Sequence, residues 1–225
     1  VGGVDIDPAK AGRDVGEVAG LGRKIGARVS SDARAALRAA RPDIVVLCTQ
    51  SSLASVLPQI QIVLEARVPI VSTTEELAYP AGANKRRARV IDEQARKAKV
   101  AVLGTGVNPG FVMDTLPITL SGVCERIDAI AIDRIQDASI RRLPFQQKIG
   151  AGLSREEFAK KAEQGSVRHV GLTESIAMIA DAFGCRLDRI TDEIAPKIAQ
   201  EAVASRYLKV EAGAVSGIIQ DGIGY

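Results

Sequence analysis

Between residues 42 and 106, short runs of Val, Ile and Leu alternate with longer stretches of helical spacing. "PDIVVLCT" (42–49) leads into "SSLASVLPQIQIVLEA" (51–66), and "VPIVST" (68–73) leads into "EELAYP" (75–80) and "NKRRARVIDEQARKA" (84–98). "KVAVLGTG" (99–106) closes the series. Strands separated by helices pair in parallel through crossovers, so the spacing predicts a doubly wound α/β sheet. The run 42–49 lacks polar alternation, which predicts a strand buried on both faces. Pro58 falls inside the helix at 51–66 and must kink it or lie near its start. Upstream, "VGGVDID" (1–7) reads as a strand and "SSDARAALRAA" (30–40) as a helix with Ser and Asp at its start. The chain opens with Val1 inside a strand-like run, so a fragment is expected, with residues missing before it.

The pattern changes near residue 120. "NPGFVMDTLPITLSGV" (108–123) predicts a helix, and "RIDAIAIDRI" (126–135) alternates with period two, as an antiparallel strand with one exposed face does. "SREEFAKKAEQG" (154–165) predicts a capped helix and "GLTESIAMIADAFG" (171–184) a more apolar one ended by Gly184. "GAVSGIIQDGIGY" (213–225) reads as a strand. We therefore expect a doubly wound unit over 1–120 and an α+β unit over 121–225.

Composition narrows the function classes. A formal net charge of +3, no Trp and four Phe argue against a nucleic-acid surface. The basic "KRRAR" (85–89) is followed by Asp92 and Glu93 on one helix, which reads as a solvated face. No apolar run has the length of a membrane span, and no signal peptide is visible. Cys48, Cys124 and Cys185 lack any CxxC spacing and are expected to be reduced and buried, as in a cytoplasmic protein. With His169 the single histidine, no metal site is expected.

In an open α/β sheet, ligands bind beyond the carboxyl ends of the strands. Asp5 ends the first run, where a dinucleotide-binding fold places an acid on the adenosine ribose. Spacing alone equally allows an exposed turn residue. Ile6 follows where an Arg would often meet a 2′-phosphate, which favours NAD over NADP. "CTQSS" supplies Thr49, Gln50 and Ser51 at a strand-to-helix junction, suited to a cofactor's phosphate or ribose and equally to helix capping. "GTGVNPG" places Asn108, Pro109 and Gly110 where backbone must pass close to something, read as the nicotinamide end of a cofactor. Glu75 and Glu76 are helical neighbours and point in different directions. If Thr73 is the N-cap, Glu76 sits at N3 of a capping box. Glu75 lies nearer the strand end, and local sequence alone favours plain helix capping for both acids.

Three blocks together, "VPIVSTTEELAYP", "VLGTGVNPGFVMDTLP" and "HVGLTESIAMIADAFG", resemble the family of 2,4-diaminopentanoate dehydrogenase and the native NAD(P)-dependent amine dehydrogenases. Their cofactor domain is similar to that of dihydrodipicolinate reductase. The resemblance runs over nearly the whole chain. It implies a Rossmann-like fold lacking its first strand and glycine-rich loop, with further segments after Tyr225, and a homodimer at full length. It also implies NAD or NADP as cofactor and a small amine or diamino acid, its ketone and ammonia as reactants. The catalytic carboxylate of the family maps onto Glu75 or Glu76. The cofactor would run past Asp5, Thr49, Gln50, Ser51, Thr73, Asn108, Pro109 and Gly110. Tyr79, Phe145 and His169 are candidate substrate-pocket residues, each also readable as a packing residue, and Arg168 stands where a small residue is expected. Two related groups are set aside by residue: the block has no Glu-Lys-Pro of Gfo/Idh-type sugar dehydrogenases, and the chain has no paired histidines. An imine reductase and a non-catalytic NAD(P)-binding fragment are the alternatives.

Overall fold

Parallel pairing of very short strands organises the first part of the chain. The computed structural model describes residues 1–225, which divide into units 1–106 and 107–225; the sequence placed the change of pattern near residue 120. In the first unit β1 (Gly3–Val4) is followed by α1 (Val15–Val18), β2 (Val29–Ser30) and α2 (Ala33–Ala40). Then come β3 (Val45–Leu47), α3 (Leu53–Glu65), β4 (Ile70–Ser72), α4 (Glu75–Ala78), α5 (Lys85–Ala98) and β5 (Val102–Gly104). All pairings among these strands are parallel, β1 with β2 and β3 with β4 with β5, so the unit holds two sheet pieces.

The core of this unit lies on one face of β3-β4-β5. Leu53, Val56, Ile60, Val63 and Leu64 recur at helical spacing along α3 and pack with Leu47, Ile70, Ile91 and Ala95. Pro58 lies inside α3 on its solvent side. The rows of the sheet explain a departure from the sequence reading. Val45–Ile70–Val102 and Leu47–Ser72–Gly104 face the helices, whereas the middle row Val46–Val71–Leu103 faces away. Val46 is 68% exposed and Leu103 55%. β3 is therefore buried on one face, not two, because α3 and α5 cover one side of the sheet and no helix covers the other.

The second unit contains α6 (Thr115–Ser121), α7 (Leu143–Lys148), α8 (Arg155–Glu163), α9 (Leu172–Ala182), β6 (Ile190–Ile198), β7 (Val203–Ala204), β8 (Lys209–Val210) and β9 (Val215–Gly224). β6 and β9 form an antiparallel pair. α9 lies against it, closely enough that a Cβ on Gly222 or Gly224 would collide with Leu172 or Ile176. α8 is capped as expected, by a capping box between Ser154 and Glu157, and Phe158 packs with Val167 and Val215. Gly184 (φ +65°) follows α9 as predicted.

Three expectations are corrected here. Residues 126–135 form no strand: β6 and β9 pair only with each other, and alternation without a ladder partner does not hold a strand. The helix expected over 108–123 begins only at Thr115, where the Asp114 carboxylate accepts from the Thr115 N–H. The cysteines are free but exposed, because each falls just past the end of an element (β3, α6 and α9) instead of inside one.

Gly104 fixes the seat of α4. A Cβ at that position would overlap the Leu77 carbonyl, so Gly104→Ala must push α4 away from β5. Overpacking against backbone costs about 1–3 kcal/mol, and urea unfolding of Gly104→Ala should show a lower midpoint. A midpoint equal to the parent's would mean that α4 does not rest on Gly104.

Candidate active site

At the carboxyl ends of β3 and β4 the chain turns into α3 and α4, and the two turns enclose an open hollow of about 250 Å³. Cys48, Thr49, Gln50, Ser51, Thr73 and Glu75 line it. Its floor is fixed by buried hydroxyls: Ser72 Oγ donates to the Leu47 carbonyl (2.9 Å), and the Thr74 N–H donates to Ser72 Oγ (3.1 Å). Backbone bonds join the turns directly, Thr73 N–H to the Leu47 carbonyl (3.2 Å) and Glu76 N–H to the Ser51 carbonyl (3.2 Å). Thr49 Oγ1 donates to Gln59 Oε1 (2.7 Å), and Ser51 Oγ donates to Glu75 Oε1 (3.1 Å).

The adjacent acids diverge, as neighbours on a helix must. Glu75 and the Cys48 thiol are the ionisable groups among the lining residues. Glu76 turns into the protein, but not into the capping box expected of it. The N-cap of α4 is Thr74, whose side chain makes no capping bond, so Thr73 lies outside the helix and no T-x-x-E box forms. Glu76 Oε2 instead accepts from the Leu53 N–H (2.7 Å), Ser52 Oγ (3.3 Å) and Asn84 Nδ2 (3.3 Å). Leu53 opens α3 and Asn84 is the N-cap of α5, so this carboxylate joins the starts of two other helices. Local sequence rules describe caps within one helix, which is why Glu76 looked like a cap of its own.

The remaining candidates lie elsewhere. Asp5 directly follows β1, outside the hollow, in an ion pair with Lys10 (2.6 Å). Tyr79 is the half-buried C-cap residue of α4. In the second unit, Asn108, Pro109 and Gly110 form a loop whose Gly110 N–H donates to Asp114 (2.8 Å). Asp114 is fully buried and also accepts from Ser175 Oγ (2.8 Å), so the loop is tied to α9. Phe145 in α7 is half-buried beneath the Arg141 guanidinium, 4.8 Å from the ring centroid. The His169 backbone exchanges two bonds with the Gln220 side chain (2.7 and 3.0 Å), and Gln220 also donates to Asp192 (2.8 Å), the ion-pair partner of Arg168. Arg168 therefore has a structural partner on β6. Sequence reading missed Asn84, Asp114 and Ser175. Of these, only Asp114, an Asp directly before a Thr-initiated helix, carried a local signal.

The profile of the 2,4-diaminopentanoate dehydrogenase C-terminal domain matches residues 111–225. The chain belongs to the 2,4-diaminopentanoate dehydrogenase family. It is 37% identical over 185 residues to 2,4-diaminopentanoate dehydrogenase of Acetoanaerobium sticklandii, a match covering 81% of this chain and 52% of that protein. An amine dehydrogenase of Streptomyces virginiae is 26% identical over 219 residues, covering 95% of this chain and 60% of its own length. This member of the family thus spans little more than half of these curated relatives. Its fold matches the structure of an amine dehydrogenase from Mycobacterium smegmatis with a TM-score of 0.83 at 24% identity, over 100% of this chain and 67% of that one. No helix of the chain is long and apolar enough to cross a membrane.

The Glu76 junction gives a stability prediction. Glu76→Ala removes the acceptor for the Leu53 N–H at the start of α3, and loss of an N-terminal cap costs about 0.5–2 kcal/mol. Thermal or urea unfolding should show that loss, whereas Glu75→Ala, on the hollow's rim, should fall within about 0.5 kcal/mol of the parent. Equal stability of Glu76→Ala and the parent would remove the junction's structural role.

Proposed function

We propose that the protein carrying this chain is an NAD(P)-dependent amine dehydrogenase. It oxidises a small amine or diamino acid to the ketone and ammonia, and runs in reverse as a reductive amination. The observation that carries this reading is the division of labour in the acid pair: Glu76 is occupied at the helix junction, while Glu75 faces the hollow. A nicotinamide dinucleotide suits the donor set on the hollow's wall, since Thr49, Gln50, Ser51 and Thr73 offer hydroxyl and amide groups for ribose and carboxamide. Asp5 is proposed to accept from the adenosine ribose hydroxyls.

At neutral pH the substrate amine is an ammonium ion. Its carbon cannot release hydride until nitrogen regains a lone pair, so a base must first remove a proton. Glu75 is that base in this reading, with Ser51 Oγ holding one carboxylate oxygen at 3.1 Å. A nicotinamide held by the residues of the hollow would supply the hydride acceptor. Water then adds to the iminium carbon and ammonia leaves; in reverse, the Glu75 carboxylate accepts a hydrogen bond from the incoming ammonia, whose lone pair attacks the ketone carbon.

In the full-length protein, Glu75→Gln should lower amine oxidation roughly 10²–10⁴-fold and leave NADH affinity nearly intact, measured by steady-state kinetics and fluorescence titration. Gln keeps the shape of the side chain but cannot take the ammonium proton. Parental turnover in Glu75→Gln would defeat the carboxylate mechanism. If Glu76→Gln alone were inactive, the base would move by one residue.

The two sheet pieces suggest a further expectation. A parallel strand between β1 and β3 would join them, and the expected glycine-rich loop after it would bring backbone N–H groups to the pyrophosphate. The chain 1–225 should therefore bind NADH more weakly than the full-length protein. Equal affinities in a side-by-side titration would show that an upstream loop is unnecessary.

A further inference from the structure

The hydroxyls of the hollow have a fixed polarity. A hydroxyl carries one hydrogen to give and two lone pairs. The Thr49 hydrogen goes to Gln59 Oε1 (2.7 Å). Gln59 is half-buried on α3 and does not line the hollow. The Ser51 hydrogen goes to Glu75 Oε1 (3.1 Å). Backbone donors at the start of α3 are committed as well. The Leu53 N–H donates to Glu76 Oε2 (2.7 Å), the Ala54 N–H to Ser52 Oγ (3.3 Å), and the Ser55 and Val56 N–H groups to the Ser52 carbonyl (3.2 and 3.1 Å). No Lys, Arg or His lines the hollow. Thr49 Oγ1 and Ser51 Oγ therefore meet an incoming group with lone pairs alone, on the same wall as the Glu75 carboxylate.

Three acceptors on one wall suit a group rich in N–H. A substrate ammonium offers three hydrogens, one each for Glu75, Thr49 and Ser51. An alcohol of the same carbon skeleton would release hydride from carbon to NAD(P) and its O–H proton to the base, and would give the same ketone. It offers only one hydrogen, and it sets its oxygen lone pairs against those of the two hydroxyls. A site built to accept from N–H groups rejects an analogue that lacks them, because its own polar atoms are then left unpaired. We propose that this acceptor wall makes the reaction selective for amines over alcohols, with Gln59 as the positioning residue that keeps Thr49 Oγ1 an acceptor. The proposal rests on Glu75 as the base. It is compatible with a cofactor at the same wall, since each hydroxyl oxygen has two lone pairs, one for the substrate nitrogen and one for a cofactor O–H or N–H.

The test is reduction of 2-butanone by NADH in the full-length protein, with 2-aminobutane and 2-butanol both measured in the presence of ammonia. The parent should form the amine almost alone. Gln59→Leu frees the Thr49 hydrogen to donate to an oxygen, so the ratio of alcohol to amine should rise roughly tenfold, the worth of one hydrogen bond. Gln59→Glu keeps an acceptor for that hydrogen and should hold the parental ratio. Thr49→Val should raise the KM for ammonia roughly tenfold and leave that for the ketone near its parental value. A parental product ratio in Gln59→Leu would overturn the proposal. An equal change in Gln59→Glu would do the same, by reducing the contact to packing. Amide chemical shifts give a readout independent of turnover. Methylammonium chloride should move the Thr49, Ser51 and Glu75 signals of the parent, and sodium formate at equal ionic strength should not. Those shifts in a protein that turns over no amine would leave the acceptor wall standing and defeat the amine dehydrogenase reading. Shifts with formate and none with methylammonium would overturn the wall itself.

Discussion

One carboxylate oxygen sets the geometry at the carboxyl end of the three-stranded sheet. Glu76 Oε2 accepts from the first N–H of α3, from the hydroxyl of its N-cap Ser52 and from the amide of Asn84 at the start of α5. The N-terminus of a helix carries orphan donors and a partial positive charge, so an acid supplied by a neighbouring helix satisfies both at once. Because Glu76 is on a helix of only four residues, its engagement also settles where that helix points. The neighbouring side chain, about 100° further round, is left facing the hollow. The placement of Glu75 is thus a by-product of how Glu76 is held.

Gly104 constrains the same short helix from the other side. With no side chain at the end of β5, the backbone of α4 closes onto the strand. The glycines of "GTGVNPG" were read as making room for a cofactor, and for Gly104 the close neighbour is the protein's own Leu77 carbonyl. Support of the candidate base therefore comes from two directions, a carboxylate junction on one side and a steric seat on the other. Positioning of this kind is what a general base needs, since proton transfer depends on distance and alignment before acidity.

The α/β class, the longer helices of the first unit and the parallel pairing of its strands were legible because hydrophobic period and strand spacing are local properties. Likewise the Ser154–Glu157 box and the Gly184 stop depend on residues within one turn. The candidates Thr49, Gln50, Ser51, Thr73 and Glu75 were found from strand ends, and the structure gathers these five in one hollow. What could not be read was contact between elements. The role of Glu76 lies in a partner 23 residues away, and Ser175 reaches Asp114 across 61 residues. The stretch 126–135 shows the converse error, since its alternation describes a surface suited to a sheet but says nothing about whether a neighbouring strand is there.

The uncovered row Val46–Val71–Leu103 bears on how the chain behaves in solution. Parallel sheets are ordinarily enclosed on both sides, and here β-branched and leucine side chains face water beside strand edges whose backbone groups have no ladder partner. Such a surface is a template for pairing with another chain. Concentrating residues 1–225 by themselves should therefore favour clustering through this face, with light scattering rising as protein concentration is raised and falling when mild detergent coats the apolar row. This row adds to other exposed apolar side chains, Ile6, Val123, Ile135 and Ile140 among them, so aliphatic surface bears on the solubility of this polypeptide alongside its net charge of +3.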